Sequence, residues 1–151
     1  QGVQGLQGLM GIGSNYLSAF YTTGGSQVSL DGLQYLPFNT VASVNGWTNP
    51  NSTDFVCPAT GLYLIFYTVI VRISGIDSSS FYLNIDGTDI AGTSSFGEAF
   101  SFNGGYPQLS SAILHNINAS QVVRLRGSNL SSKFYLPENL NAVQLTIIRI
   151  S

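Results

Sequence analysis

From residue 62 to residue 71 the chain reads LYLIFYTVIV, with apolar side chains at nearly every position. In an extended segment successive side chains point to opposite sides. Tyr63, Ile65, Tyr67, Val69 and Val71 therefore share one face, and Leu62, Leu64, Phe66, Thr68 and Ile70 share the other. A strand in an antiparallel sandwich normally turns one face to the core and one to water. A strand apolar on both faces requires a second surface to bury against. The last stretch, AVQLTIIRIS (142–151), repeats this more weakly: Val143, Leu145 and Ile147 form an apolar face, and Gln144, Thr146, Ile148 and Ile150 a half-apolar one. One face of each strand is expected to fill a core and the other to meet neighbouring subunits.

Elsewhere, short runs rich in β-branched and aromatic residues are punctuated by Gly, Asn, Pro and Ser, the rhythm of an all-β sandwich or barrel. The predicted strands are SAFYTT (18–23), YLPFNTVA (35–42), STDFVCP (52–58), GLYLIFYTVIVRIS (61–74), SFYLNID (80–86), TDIAGTSSFGEAFSF (88–102), QLSSAILHNI (108–117), QVVRLRGSN (121–129) and AVQLTIIRIS (142–151). No convincing helix interrupts them. Asp86-Gly87, between two of these runs, predicts a type I′ hairpin turn, whose two central residues both need positive φ. Neighbouring strands should therefore be antiparallel.

Ahead of the strands the chain opens QGVQGLQGLMGIG, with Gly2, Gly5, Gly8 and Gly11 three residues apart. Glycine at every third position is what a collagen triple helix requires, because only hydrogen fits at its crowded axis. The intervening positions hold Val, Gln, Leu and Met and no proline, so four triplets lack the length and the preorganisation to hold three chains together alone. The sequence divides into 1–13, the end of a collagen-like region, and 14–151, a β domain that gathers the strands. A threefold head satisfies the two-faced strand and the glycine leader together. With no starting Met and no signal peptide, the numbering is expected to begin inside a longer precursor.

Composition sharpens this picture. Charged residues make up 8% of the 151, against about 25% in an ordinary soluble domain, a surface suited to being covered by partner chains. The five cations, Arg72, Arg124, Arg126, Lys133 and Arg149, are too few and too scattered for a nucleic-acid footprint. The longest apolar run is far short of the roughly 20 residues of a membrane-spanning helix. A single cysteine, Cys57, excludes an intrachain disulfide and reads as a small buried hydrophobe. With His115 as the sole histidine, neither a zinc cluster nor a Ser/His/Asp or Cys/His arrangement can be assembled, and no enzyme, cofactor or metal is expected. Asp86 and Asp89 lack the alternating spacing of a calcium loop and read as turn residues. The sequons Asn51-Ser52-Thr53, Asn118-Ala119-Ser120 and Asn129-Leu130-Ser131 mark loops or strand ends.

The stretch FVCPATGLYLIFY (55–67) resembles the central signature of the complement C1q and tumour necrosis factor superfamily, Phe-x5-Gly-x-Tyr-x-Phe-x-[Phe/Tyr], with Ile65 in place of the second Phe. That resemblance implies an antiparallel jelly-roll sandwich that forms homotrimers. Carried over position by position, it places Leu64, Phe66 and Thr68 on the threefold axis with Gln144, Thr146, Ile148 and Ile150. AFYTTGGSQVSL (19–30) followed by LPFNTVAS (36–43) is similar to the C-terminal head of the collagen-like glycoproteins of the Bacillus exosporium, the BclA type. In that family the head implies trimerisation, nucleation of the stalk, and display on the outside of the spore as a hair-like nap. A second reading is a C1q-like recognition or adhesin head, or a phage or viral fibre tip, binding a host-surface protein or glycan. Its loops would be 43–53, 74–80 and 102–108, with Trp47, Phe102 and Tyr106 as exposed aromatics.

Overall fold

The structure, a computed structural model, describes residues 14–30, 35–73, 77–99, 106–128 and 134–151. The four leader glycines, Gly2, Gly5, Gly8 and Gly11, and Phe102 lie outside them. The described residues form thirteen strands and no helix: β1 (Tyr16–Thr22), β2 (Val28–Ser29), β3 (Thr40–Asn45), β4 (Phe55–Val56), β5 (Gly61–Ile70), β6 (Arg72–Ile73), β7 (Asp77–Ile85), β8 (Thr88–Asp89), β9 (Ser95–Ala99), β10 (Gln108–Ile117), β11 (Val122–Ser128), β12 (Phe134–Leu136) and β13 (Asn141–Arg149).

They build a front sheet in the order β10-β5-β13-β1-β3 and a back sheet in the order β4-β11-β7-β8, with β9 also on β7. A short sheet, β2-β12-β6, closes one margin. Every pairing is antiparallel. The core lies between front and back, where Tyr63, Ile65, Tyr67 and Val69 of β5 and Val143, Leu145 and Ile147 of β13 meet Phe81, Leu83 and Ile85 of β7 and Val123 and Leu125 of β11, all buried. Alternation along each strand puts one parity in this layer, as the sequence pattern predicts. Tyr67 carries its hydroxyl into the core and donates it to the Phe81 carbonyl at 2.9 Å. Burial pushes that phenol up from its ordinary value.

The Asp86-Gly87 turn forms as expected, with φ of 49° and 86° and Ile85 facing Thr88 across it. The Asp86 carboxylate accepts the Val122 N–H at 2.8 Å, tying the hairpin to the start of β11.

Three expectations need correction. The predicted strand 88–102 is broken after Asp89, because Gly92 takes a left-handed φ of 80° and Thr93 turns inward, its hydroxyl donating to the Ile90 carbonyl at 2.6 Å and accepting the Leu83 N–H at 3.1 Å. The predicted strand 35–42 begins at Thr40 instead. Leu36 and Phe38 are buried there as a loop, their N–H groups going to the carbonyls of Leu125 and Ser52, and Pro37 between them has no N–H for a ladder. Strands β2 and β12, of two and three residues, had no counterpart among the predicted strands because segments so short carry no period.

On the back sheet Arg124 forks onto Asp54, Nε to Oδ1 at 2.6 Å and Nη2 to Oδ2 at 2.8 Å, with the guanidinium 4.9 Å from the Tyr35 ring centre. The Arg124 guanidinium holds the Asp54 carboxyl well below the usual carboxylate range. Asp54 thus stays ionised to lower pH in the folded chain than in the unfolded one, whose carboxyl titrates near 3.9. Its contribution to stability is full above that value and is lost as pH falls toward the folded value. Asp54→Asn is expected to lower neutral-pH stability by about 1 kcal/mol, since both side chains keep an edge in water. Urea midpoints measured from pH 7 down to pH 2 should fall less steeply for the variant. Parallel curves would remove the ion pair from the acid response.

Candidate functional site

The face of the front sheet turned away from the core is built from the other parity of its strands. The registers align it in rows across four strands. Leu114 of β10, Leu64 of β5, Ile148 of β13 and Tyr16 of β1 form the first row; Ala112, Phe66, Thr146 and Ser18 the second; and Ser110, Thr68, Gln144 and Phe20 the third. Directly opposed side chains on one sheet face have Cβ atoms about 4.5–5.5 Å apart, so each row is a continuous line of contacts. The first row is apolar throughout, the second is centred on Phe66, and the third mixes hydroxyl and amide groups with one ring.

Among the described residues nothing covers this face. Phe66 is 42% exposed, Leu114 56%, Tyr16 41% and Ile150 39%, while the inward neighbours Ile65, Tyr67 and Ile147 are buried. Phe66, Thr68, Gln144 and Thr146 also border a shallow depression open to solvent. Four large apolar side chains left half open on one flat face are unusual in a chain with so few charges to keep it apart from others. Burying the remainder of each side chain is worth on the order of 1 kcal/mol, half or less of the full burial of such a residue.

The seven residues assigned to an interface from sequence, Leu64, Phe66, Thr68, Gln144, Thr146, Ile148 and Ile150, therefore fall on one surface. Three large members of these rows went unnamed, Tyr16, Phe20 and Leu114. Leu114 alternates with Ser110 and Ala112 along β10, a row too polar and small to stand out until β5 is laid beside it. Tyr16 precedes the predicted start of its strand by two residues.

Of the three aromatics proposed as ligand contacts, Phe102 lies outside the described residues, and Trp47 and Tyr106 do not come together. Trp47, expected to be exposed, is buried at 5% and stands edge-on to Tyr63, ring centres 5.5 Å apart. The turn of Gly46, φ 82°, folds it under the end of the sheet, and its Nε1 has no hydrogen-bond partner among the described residues. Tyr106 is 62% exposed, with the Arg72 guanidinium 5.9 Å from its ring centre. Trp47 packs near the start of β5, whereas Tyr106 leads into Gln108, which pairs with Ile70 at its end. Ten strand residues separate the two by roughly 30 Å.

The polar candidates are structural. Asp89 accepts Asn84 Nδ2 at 2.8 Å and pairs with Arg126 at 3.2 Å, while Asp86 caps β11. Cys57 is buried, its thiol 3.2 Å from the Ala59 carbonyl. Burial pushes the neighbouring Tyr63 phenol up. Among the described residues no three of His, Cys, Asp and Glu gather in a way that could hold a metal ion, and no helix is long and apolar enough to cross a membrane.

No family model matches the sequence, and no curated protein matches it. The fold, by contrast, has many counterparts among solved structures. Eiger TNF from S. frugiperda superposes with a TM-score of 0.67 at 14% identity, covering 91% of this chain and 94% of that one. Murine APRIL gives 0.65 at 9% identity over 89% and 98% of the two chains. The globular domain of zebrafish complement 1qA protein gives 0.61 at 13% identity over 91% and 98%. Two five-stranded antiparallel sheets packed face to face, with β5 between β10 and β13 in the front one, make this chain a β-sandwich of the jelly-roll kind shared by TNF and the C1q globular domain.

Proposed function

We propose that the chain is the non-enzymatic C-terminal trimerisation head of a bacterial collagen-like surface glycoprotein, displayed on the outside of a spore, where it gathers three chains and nucleates the triple helix of the glycine-repeat leader. The observation that carries this is the open apolar face of the front sheet, Tyr16, Leu64, Phe66, Leu114 and Ile148 in register. A second copy of the same surface is the economical cover. The four glycines at period three supply the reason for three copies, since a collagen helix takes three chains. The similarity of residues 19–30 and 36–43 to exosporium heads supports the spore surface as the place of display.

Light scattering on the 151-residue chain tests the first step. The expected mass is three times 16.1 kDa; a stable monomer at micromolar concentration overturns the proposal.

A second reading, a C1q-like recognition head for a host-surface glycan or protein, is favoured by one observation. Exposed Tyr106 and half-buried Arg72 stand together at the end of β5 away from Trp47, an aromatic and a cation in the combination that polar ligands use. Binding of the isolated chain to a glycan array, abolished by Tyr106→Ala, would support it. Silent arrays with persistent trimers favour assembly alone.

A further inference from the structure

The apolar first row ends where the residues following the glycine triplets enter the fold, and a polar knot holds that entry. The Asn15 carbonyl accepts the Arg149 N–H at 3.0 Å. The Arg149 guanidinium then spreads over three segments: Nη1 to Asn15 Oδ1 at 3.4 Å, Nη2 to the Thr60 carbonyl at 2.9 Å and Nε to the Ser151 carbonyl at 3.0 Å. Asn45 Nδ2 donates to the Ser14 carbonyl from β3, and the Leu62 N–H donates to the Ser151 carbonyl from β5 at 3.1 Å.

Two glycines make this convergence possible. A Cβ on Gly61 would strike the Ser151 carbonyl oxygen and come within 2.6 Å of Arg149 Nε. One on Gly46 would strike Asn15 Nδ2. Four stretches of chain thus meet at one corner with no room to spare, around a side chain whose charge is met by carbonyl and amide oxygens. Only arginine offers donors fanned in one plane toward three separate acceptors; lysine supplies a compact point charge.

We infer that Arg149 is a positioning residue for the leader: by fixing Ser14 and Asn15 to the end of the front sheet, it sets the place and direction in which the leader departs. This rests on the trimer reading. Tyr16, the next residue, lies in the apolar row with Ile148, Leu64 and Leu114, so packing of that row against neighbouring copies brings the three departure points side by side. The polar corner holds the leader's root to the row; the row holds the three roots to one another. Without the first link, heads assemble while leaders leave at unmatched angles, and a triple helix must first meet the entropy of aligning them.

The experiment uses the 151-residue chain with a nitroxide on Gln7→Cys, Cys57 being buried. Mass by light scattering and label-to-label distances by pulsed electron resonance are taken on the same samples. With Arg149 intact, the expected result is a trimer with a narrow distance distribution. Arg149→Met should remain trimeric while the distribution broadens about twofold, and Arg149→Lys should restore it only in part, because a point charge cannot hold three acceptors. If Arg149→Met fails to fold, Asn15→Ala, which removes a single side-chain bond, should broaden the distribution in a trimer of unchanged mass. A trimeric Arg149→Met, or in its place Asn15→Ala, with undiminished narrowness overturns the inference. A labelled parent that is monomeric overturns the assembly reading beneath it, and the mass alone identifies that outcome.

Discussion

Phe66→Asp is expected to reduce the light-scattering mass to 16.1 kDa while the chain keeps its strands. In a single copy Phe66 is 42% exposed, so a carboxylate there can reach water and folding tolerates it. In the proposed trimer the same position is central to the second row, between Ala112 and Thr146, and each copy would bury a charge with no partner. An uncompensated buried charge costs about 3–5 kcal/mol, and three copies carry it at once. That outweighs what the surrounding half-open side chains can return. Leu114→Asp in the first row should act the same way. Val44→Asp is the control: Val44 is 46% exposed on edge strand β3 and lies opposite the core-facing Leu17, away from the apolar rows. It should leave the mass unchanged. A trimeric Phe66→Asp with unaltered melting means the wrong face has been chosen.

The second large effect lies in the core. Phe55→Ala should remove about 3–5 kcal/mol, a large part of the roughly 5–15 kcal/mol that holds a domain of this size. Phe55 is completely buried in β4, faces Val123 of β11, and meets the Phe38 ring edge-on at 5.0 Å. Truncation loses the transfer of a whole ring, leaves a cavity, and deprives Phe38 of a contact worth about 0.5–1.5 kcal/mol. The two-residue β4 gives little backbone pairing with which to close the gap. Because the proposed trimer would add concentration-dependent stability, the comparison belongs in the Phe66→Asp background. There the urea midpoint should fall with the denaturant slope unchanged; a loss under 1 kcal/mol would show that the loop around Phe38 collapses into the space. Phe66→Asp separates assembly from folding, and Phe55→Ala does the reverse.

These contrasts follow from how much of the molecule can be read along the chain. The parity of β5 and β13 is local: alternation at period two assigns each side chain to a face before any partner is known. The same holds for Asp86-Gly87, where backbone sterics alone demand the turn. The break in 88–102 was not legible, because Thr93 turns inward only when the Leu83 N–H and the Ile90 carbonyl are there to receive it. Trp47 misled for a similar reason. A loop position flanked by Asn and Gly reads as exposed until Gly46 folds the indole against Tyr63.

By itself, then, the sequence determined an all-β chain, one strand apolar on both sides with a second half-apolar on its outer side, and a glycine-repeat leader, since each depends on residue type and short-range spacing. Only the tertiary structure decided which strands lie side by side, and therefore that Leu114 and Tyr16 complete the row of Leu64 and Ile148, and that Arg149 reaches Asn15 across 134 positions of chain. Register between distant strands is settled by the fit of the whole core and by the path of every loop, and no window of sequence contains that information.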